Sequence, residues 1–269
     1  MNMQEAFPNS DAPAKGALFF LSESPLCPDS QGLQHGTVRA ASVHAALRQA
    51  MRSRSESLVN VDPHILGTAS HGEGAIVSLS ELLPVALPLR TQRGLFCWGT
   101  SPGILQLIHA VLSAANLTAP PSVPQIEGSD LLCAPSSFCL DSGCIGLEEL
   151  RCNAKEDALV VEWADWLARF ALPASSALEW WQAKLKRDLV VLSDDLFNSL
   201  TRRAQVKIWH GEKSTPSIAF PENCLFMCKV GANAAEWSSI SGILQQVKLV
   251  RLGSDRATGH GVCRTRWVI

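Results

Sequence analysis

Leu249-Val250-Arg251-Leu252-Gly253-Ser254-Asp255-Arg256-Ala257-Thr258-Gly259-His260-Gly261-Val262-Cys263-Arg264-Thr265-Arg266-Trp267-Val268-Ile269 is the last stretch of the chain, and it reads as strand, loop, strand. The apolar run Leu249–Leu252 enters a polar loop holding three glycines and two basic residues. The exit alternates Arg264 and Arg266 with Cys263, Thr265 and Trp267, the period of a strand with one buried face. Glycine permits positive φ and close backbone approach, and successive amides in such a loop suit phosphate oxygens. Gly253, Arg256, Gly259, His260 and Gly261 are therefore expected to hold an RNA or nucleotide backbone. A β-hairpin with a charged tip explains the same composition, because glycine spacing alone is a weak signal.

Working outward, Gly16 to Ser24 reads as a buried first strand ending at Pro25, after a flexible leader over residues 1–15. A polar loop from Cys27 to Gly36 leads to a helix over about residues 40–54. Its apolar side is Ala41, Ala45, Ala46, Leu47 and Ala50, and Arg39, His44, Arg48 and Arg52 recur at roughly helical spacing on another side. Residues 55–73 lack periodicity and read as loop. Short strands follow over 75–79, 84–89 and 94–99, and Ser101-Pro102 opens a helix through Ile104, Leu105, Ile108, Val111 and Leu112.

Residues 119–124 read as a proline-rich linker and 128–155 as irregular chain. The latter carries Cys133, Cys139, Cys144 and Cys152, whose spacings form no paired CxxC knuckles, so no metal site is expected. Helices are expected over 158–170 and 177–185, a strand over 188–192, and a helix capped by Ser193 or Asp194. Residues 204–221 hold Lys207, Trp209, His210 and Lys213 around a turn. A strand from Leu225 to Val230 and a helix from Asn233 to Gln246 lead back to the terminal hairpin. Cys224 and Cys228, four apart, share one face of that strand, which is read as core. The order of elements is that of an α+β, ferredoxin-like (βαββαβ, RRM-like) sheet with insertions at about 55–73 and 119–187, residues 16–269 forming one domain. Such sheets frame RNA-recognition modules but also serve unrelated functions.

Composition narrows the classes. A chain of 269 residues with net charge −2 has no global basic field, so any nucleic-acid contact must be local or summed over subunits. No apolar run reaches the ~20 residues needed to span a bilayer. The N-terminus lacks the pattern of a secretory signal, and nine cysteines is an odd number, so a cytoplasmic location with reduced thiols is expected. There is no nucleophile-elbow sequence and no GxxxxGK[ST], which argues against a hydrolase triad and ATP use.

Four segments in order resemble one family. Gly16–Phe20 through Ser24-Pro25-Leu26, with Ser42–Arg48, resembles the first strand and first helix of the RAMP superfamily of CRISPR-associated proteins. Leu83–Trp98 with Ser101-Pro102 is similar to the "P-x-R-S-x-x-G-x-F-A-x-V-T-x-P" segment of the repeated backbone subunit of type III-B (Cmr) effector complexes. Lys184–Asp195 is similar to that subunit's "L-V-V-L-S-D" segment, and Leu252–Gly261 to its "GG-x-E-T-x-G-x-G" loop. The resemblance implies a subunit that lines up in several copies along a guide RNA and presents it to complementary target RNA, with other effector subunits as partners. Arg39, Ser42, His44, Arg48, Arg90 and Arg93 become candidate guide contacts, each otherwise a solvent-facing polar residue. Residues 202–220 match the family's thumb hairpin, with Lys213 as a further contact and Trp209 as a stacking residue, core packing of Trp209 being the alternative.

The departures bear on catalysis. The family's cleaving aspartate follows its first glycine-rich loop, whereas here Gly36 runs through Thr37-Val38-Arg39-Ala40-Ala41 to Ser42 with no acid. Asp29 and His35 are the remaining candidates for general-base or metal-supporting work, and Mg2+ is implied only if cleavage is retained. The lysine and glycine of the family's "S-x-K-G" are His44 and Ala45. RNA binding without efficient cleavage is thus the expected function. A guide-dependent, metal-dependent endoribonuclease and a nucleotide- or protein-binding ferredoxin-like module are the alternatives.

Overall fold

The computed structural model describes residues 13–28, 38–52, 66, 76–117, 119–135, 137, 140–203, 205–209, 217–232, 234–254 and 256–269. Strand β1 (Ala14–Ser22) is the hub: it pairs antiparallel with β11 (Leu225–Ala232) on one side and β13 (Val262–Val268) on the other. Leu18 faces Cys228 and Trp267 across the two ladders. The run Ala17-Leu18-Phe19-Phe20-Leu21 is apolar at every position because both faces of the sheet are covered. Leu18 and Phe20 join one core cluster, whereas Ala17, Phe19 and Leu21 join another. Burying each such large side chain contributes about 1.5–3 kcal/mol. β1 begins two residues inside the expected leader.

The first cluster is roofed by α1 (Ala40–Arg52), which buries Val43, Ala46, Leu47 and Met51, and by α6 (Ala234–Leu244) through Ile240 and Leu244. The second is roofed by α2 (Pro102–Ala114) and α3 (Ala158–Trp166), the latter continued by a wider turn over Leu167–Ala171. Phe19 meets Trp166 edge to face at 6.3 Å on that side. Local signals place the helix starts: Pro102 occupies the first turn of α2, and Asp157 accepts from the Leu159 amide at 2.7 Å.

β2 (Val77–Leu79) pairs with β11 off the main path, and from β11 the sheet continues through β3 (Leu83–Arg90), then β4 (Phe96–Thr100) and β8 (Leu189–Leu192). Beyond β8 come β5 (Leu131–Cys133), β7 (Leu150–Glu156) and β6 (Cys144–Leu147). These three strands correct the expectation of irregular chain over 128–155. They are short: β5 pairs with β8, some sixty residues away in sequence, and β6 with β7 in a hairpin whose strands lack a clear apolar alternation.

The Lys184–Asp195 segment is a junction of buried charge. In α4 (Glu179–Asp188), Lys184 Nζ sits 2.7 Å from Asp188 Oδ2 with both side chains almost wholly buried, and lies 4.6 Å from the Phe96 ring centroid. Ser193 Oγ accepts from the Leu196 amide at 3.3 Å to open α5 (Asp194–Arg203), as its sequence predicts. Asp194 also reaches α2, accepting from the Gly103 amide at 3.0 Å. β9 (Val206–Ile208) and β10 (Ser217–Ala219) pair as a separate two-stranded hairpin, and β12 (Leu249–Arg251) pairs with β13 at the sheet edge. No disulfide joins the eight described cysteines. Burial pushes the thiols of Cys224, Cys228 and Cys263 well up, and Cys224 and Cys228 lie in the core as read.

Candidate nucleic-acid interface

The sheet brings the two ends of the chain together, because β1 and β13 are neighbours and the loops leaving them meet. The Ser254 amide donates to the Cys27 carbonyl at 3.0 Å, and the Gly261 amide to the Pro25 carbonyl at 2.8 Å. Helix α1 packs beside β12, and Arg256 Nη1 donates to Gln49 Oε1 on α1 at 3.2 Å. Helix α1 and the terminal loop thus form one surface. It carries the exposed Arg39 and Gln49, the partly buried Ser42, His44, Arg48 and Arg256, and the loop residues Gly259 and His260.

The glycines of the loop do a different job from the one their sequence suggests. Gly253 (φ +80°) lies so near the preceding loop that a Cβ there would be 2.2 Å from the Cys27 carbonyl oxygen. At Gly261 (φ +73°) it would be 1.8 Å from the Leu252 oxygen. The amides of Ser254 and Gly261 are spent on Cys27 and Pro25, and that of Gly259 on the Arg256 carbonyl at 3.3 Å. These amides are therefore not an open phosphate cradle, and the glycines serve backbone approach. Gly259 alone of the three faces open space. His260 Nδ1 is 2.8 Å from Thr258 Oγ1, which fixes its ring beside it.

On α1, Arg39 stands at the start of the helix, its carbonyl accepting from Ser42 and Val43. Arg48 Nη2 donates to the Leu66 carbonyl at 3.2 Å. His44 is not a cation near neutral pH: burial, then the neighbouring Arg48 charge, lowers its pKa to about 4 against a weaker opposing contact with the Leu66 backbone. It can touch RNA only as a neutral ring, whereas Arg39, Arg48 and Arg256 carry the charge.

Arg90 and Arg93 are elsewhere. They flank the β3–β4 turn, where the Arg90 guanidinium meets Glu148 at 2.8 Å and its amide donates to the same carboxylate at 2.9 Å. Arg93 lies 3.4 Å from Asp141. Both arginines latch the turn to the β6–β7 region, so their charges are answered by acids. Glu148 and Asp141 carried no signal in sequence, being fifty or so residues from their partners. Trp209, just past β9, is 62% exposed, which rules out the core-packing alternative. Lys213, Asp29 and His35 lie outside the described residues. The ends of the loop that carries Asp29 and His35 are held, however: Cys27 by the terminal loop, and Val38 by paired hydrogen bonds to Leu82 of 3.1 and 2.8 Å.

The architecture matches that of a solved protein along nearly its whole length. The crystal structure of oligomeric Cmr4 from Pyrococcus furiosus superposes with a TM-score of 0.75, covering 93% of this chain and 96% of that one at 15% identity. The fold is that of Cmr4. A second crystal structure, of Pyrococcus furiosus Cmr4 (Cas7), gives 0.71 at 16% identity over 93% of this chain and 97% of that one. A chain in the cryo-EM structure of the type III-B Cmr-beta complex bound to cognate target RNA gives 0.64 at 14% identity, covering 93% and 96%. No protein-family model and no curated protein matches the sequence. The Cmr4 likeness thus lives in backbone topology, which identities this low leave intact.

Proposed function

We propose that this chain is a backbone subunit of a CRISPR effector complex, binding guide RNA in repeated copies and presenting it to complementary target RNA. The observation that carries the reading is a Cmr4 fold over nine-tenths of the chain in which α1 and the terminal loop form one basic surface. Arg39, Arg48 and Arg256 take phosphates there, with Ser42, Gly259 and His260 beside them, and Trp209 on the β9–β10 hairpin stacks on bases. Each copy supplies few cations, and the row of copies sums them, which suits a chain of net charge −2.

The order β13-β1-β11-β3, with α1 after β1 and α6 after β11, supports a single βαββαβ core into which β4–β10 are inserted. Target cleavage is weak or absent in this reading, because the segment from Gly36 to Ser42 holds no acid. If cleavage is retained, Asp29 or His35 supports it with Mg2+. Among the described residues no helix is long and apolar enough to cross a membrane. A cytoplasmic complex is part of the proposal.

The test is reconstitution with guide RNA and neighbouring subunits, followed by addition of end-labelled complementary RNA and Mg2+. Guide-dependent capture of intact target is the expected result. Regularly spaced fragments abolished by Asp29→Ala would reassign the subunit as a nuclease, and absence of guide-dependent capture would overturn the reading.

A further inference from the structure

Where the wide turn Leu167–Ala171 meets the end of β13, the fold leaves a half-open cavity of about 240 Å³. Its walls are the rings of Trp166 and Phe170, with Leu117, Val268 and Ile269 completing the apolar part and Arg266 supplying the charge; Trp267 borders it, but its ring belongs to the opposite face of β13. Arg266 and Val268 project toward the face roofed by α2 and α3, so this cavity is separate from the α1 surface.

Three features of the lining define what it would take. Arg264, two residues earlier on the same face, is neutralised by Glu23, whereas Arg266 makes no ion pair among the described residues. Arg266 Nε and the indole nitrogen of Trp166 are buried with no hydrogen-bond partner, and none of the lining side chains offers an acceptor. Trp166 and Phe170 pack against each other as one aromatic wall, centroids 5.3 Å apart and tilted by 35°, and a second guanidinium, that of the exposed Arg169 at the cavity's margin, sits 5.2 Å from the Phe170 centroid.

We propose that this cavity binds a nucleotide, its base held against the Phe170 and Trp166 rings and its phosphate drawn to Arg266 and Arg169. An aliphatic ligand would leave the arginines unanswered, and a small carboxylate would leave the aromatic walls unused. A nucleobase brings a planar ring of the right size, π faces and acceptor atoms, and its phosphate brings the charge. The same chemistry comes from a free mononucleotide or from an unpaired nucleotide within an RNA strand.

The experiment is calorimetric titration of the full chain with nucleoside 5′-monophosphates, ribose 5-phosphate and a short single-stranded RNA, repeated for Arg266→Gln and Phe170→Leu. Saturable nucleotide binding, about tenfold weaker in either variant and absent for ribose 5-phosphate, is expected. Binding of the strand alone, with the same dependence, makes an RNA nucleotide the occupant. Should either variant unfold early, the exposed Arg169→Gln substitutes for it. Nucleotide and strand binding indifferent to all three changes, or no binding of either, overturns the proposal. Arg256→Ala is the control that separates the two sites: it acts on the α1 surface and leaves the cavity unchanged.

Discussion

Two turns of this protein set arginine beside glycine, and the fold uses them in opposite ways. At the β3–β4 turn, Arg90 and Arg93 find Glu148 and Asp141, acids brought in by the β6–β7 hairpin, and become a latch. At the β12–β13 loop, Arg256 finds the neutral amide of Gln49 and keeps its charge, while Gly253 and Gly261 bring the loop within backbone contact of its neighbours. The lesson is that basic residues in a glycine-bearing turn keep their charge available to a ligand only where the chain packed against them lacks a carboxylate.

The sharpest way to break this contrast is at the glycines. Gly261→Ala places a methyl group 1.8 Å from a backbone oxygen and should cost about 3 kcal/mol or more of unfolding free energy, read by denaturant titration. Gly259→Ala, with the same sign of φ but open space, should cost only about 1–2 kcal/mol. Equal losses would mean that conformational freedom, not close approach, is what both positions require.

His44 separates the regions by pH. Its folded-state pKa of about 4 lies below the ordinary 6.5, so below pH 6.5 the unfolded chain takes up a proton that the folded chain resists. Its contribution is complete above about pH 6.5 and is lost as pH falls toward 4, by on the order of 2–3 kcal/mol. Comparing unfolding curves of the native chain and His44→Gln at pH 7 and 4.5 checks this, since the variant should lose less stability on acidification.

RNA binding should follow the same division. Arg256→Ala should weaken guide binding by about fivefold to tenfold per copy and reduce the salt slope by about one, measured at two salt concentrations. Arg90→Ala should leave binding within about twofold, because its charge already has a partner. The smallest effect belongs to the latch: a double-mutant cycle on Arg90 and Glu148 should give a coupling of about 1 kcal/mol or less, since the Arg90 side chain is 81% exposed.

Much of the framework was legible because its signals are local. The uninterrupted apolar run of β1, the alternation of β13, the Pro102 start of α2 and the Ser193 cap of α5 each sit within a few residues of what they specify. The candidate site was legible only in part. His44 reads as a basic residue on a helical face, and only its burial beside Arg48 makes it neutral. Strand β5, three residues long, depends on β8 brought in from elsewhere in the chain, and the short β6–β7 hairpin alternates too little to leave a comparable trace.

By itself the sequence determined where the hub strand lies and the order of most elements, because hydrophobic periodicity and end-capping act between near neighbours; it misplaced part of the α1 face, where Ala41 and Ala45 are exposed and Val43 and Met51 are buried instead. The partners of each charge were decided only in the tertiary structure. Whether an arginine is a latch or a ligand contact depends on a carboxylate or an amide dozens to hundreds of residues away, and the sheet order alone brings Glu148 to Arg90 and Gln49 to Arg256.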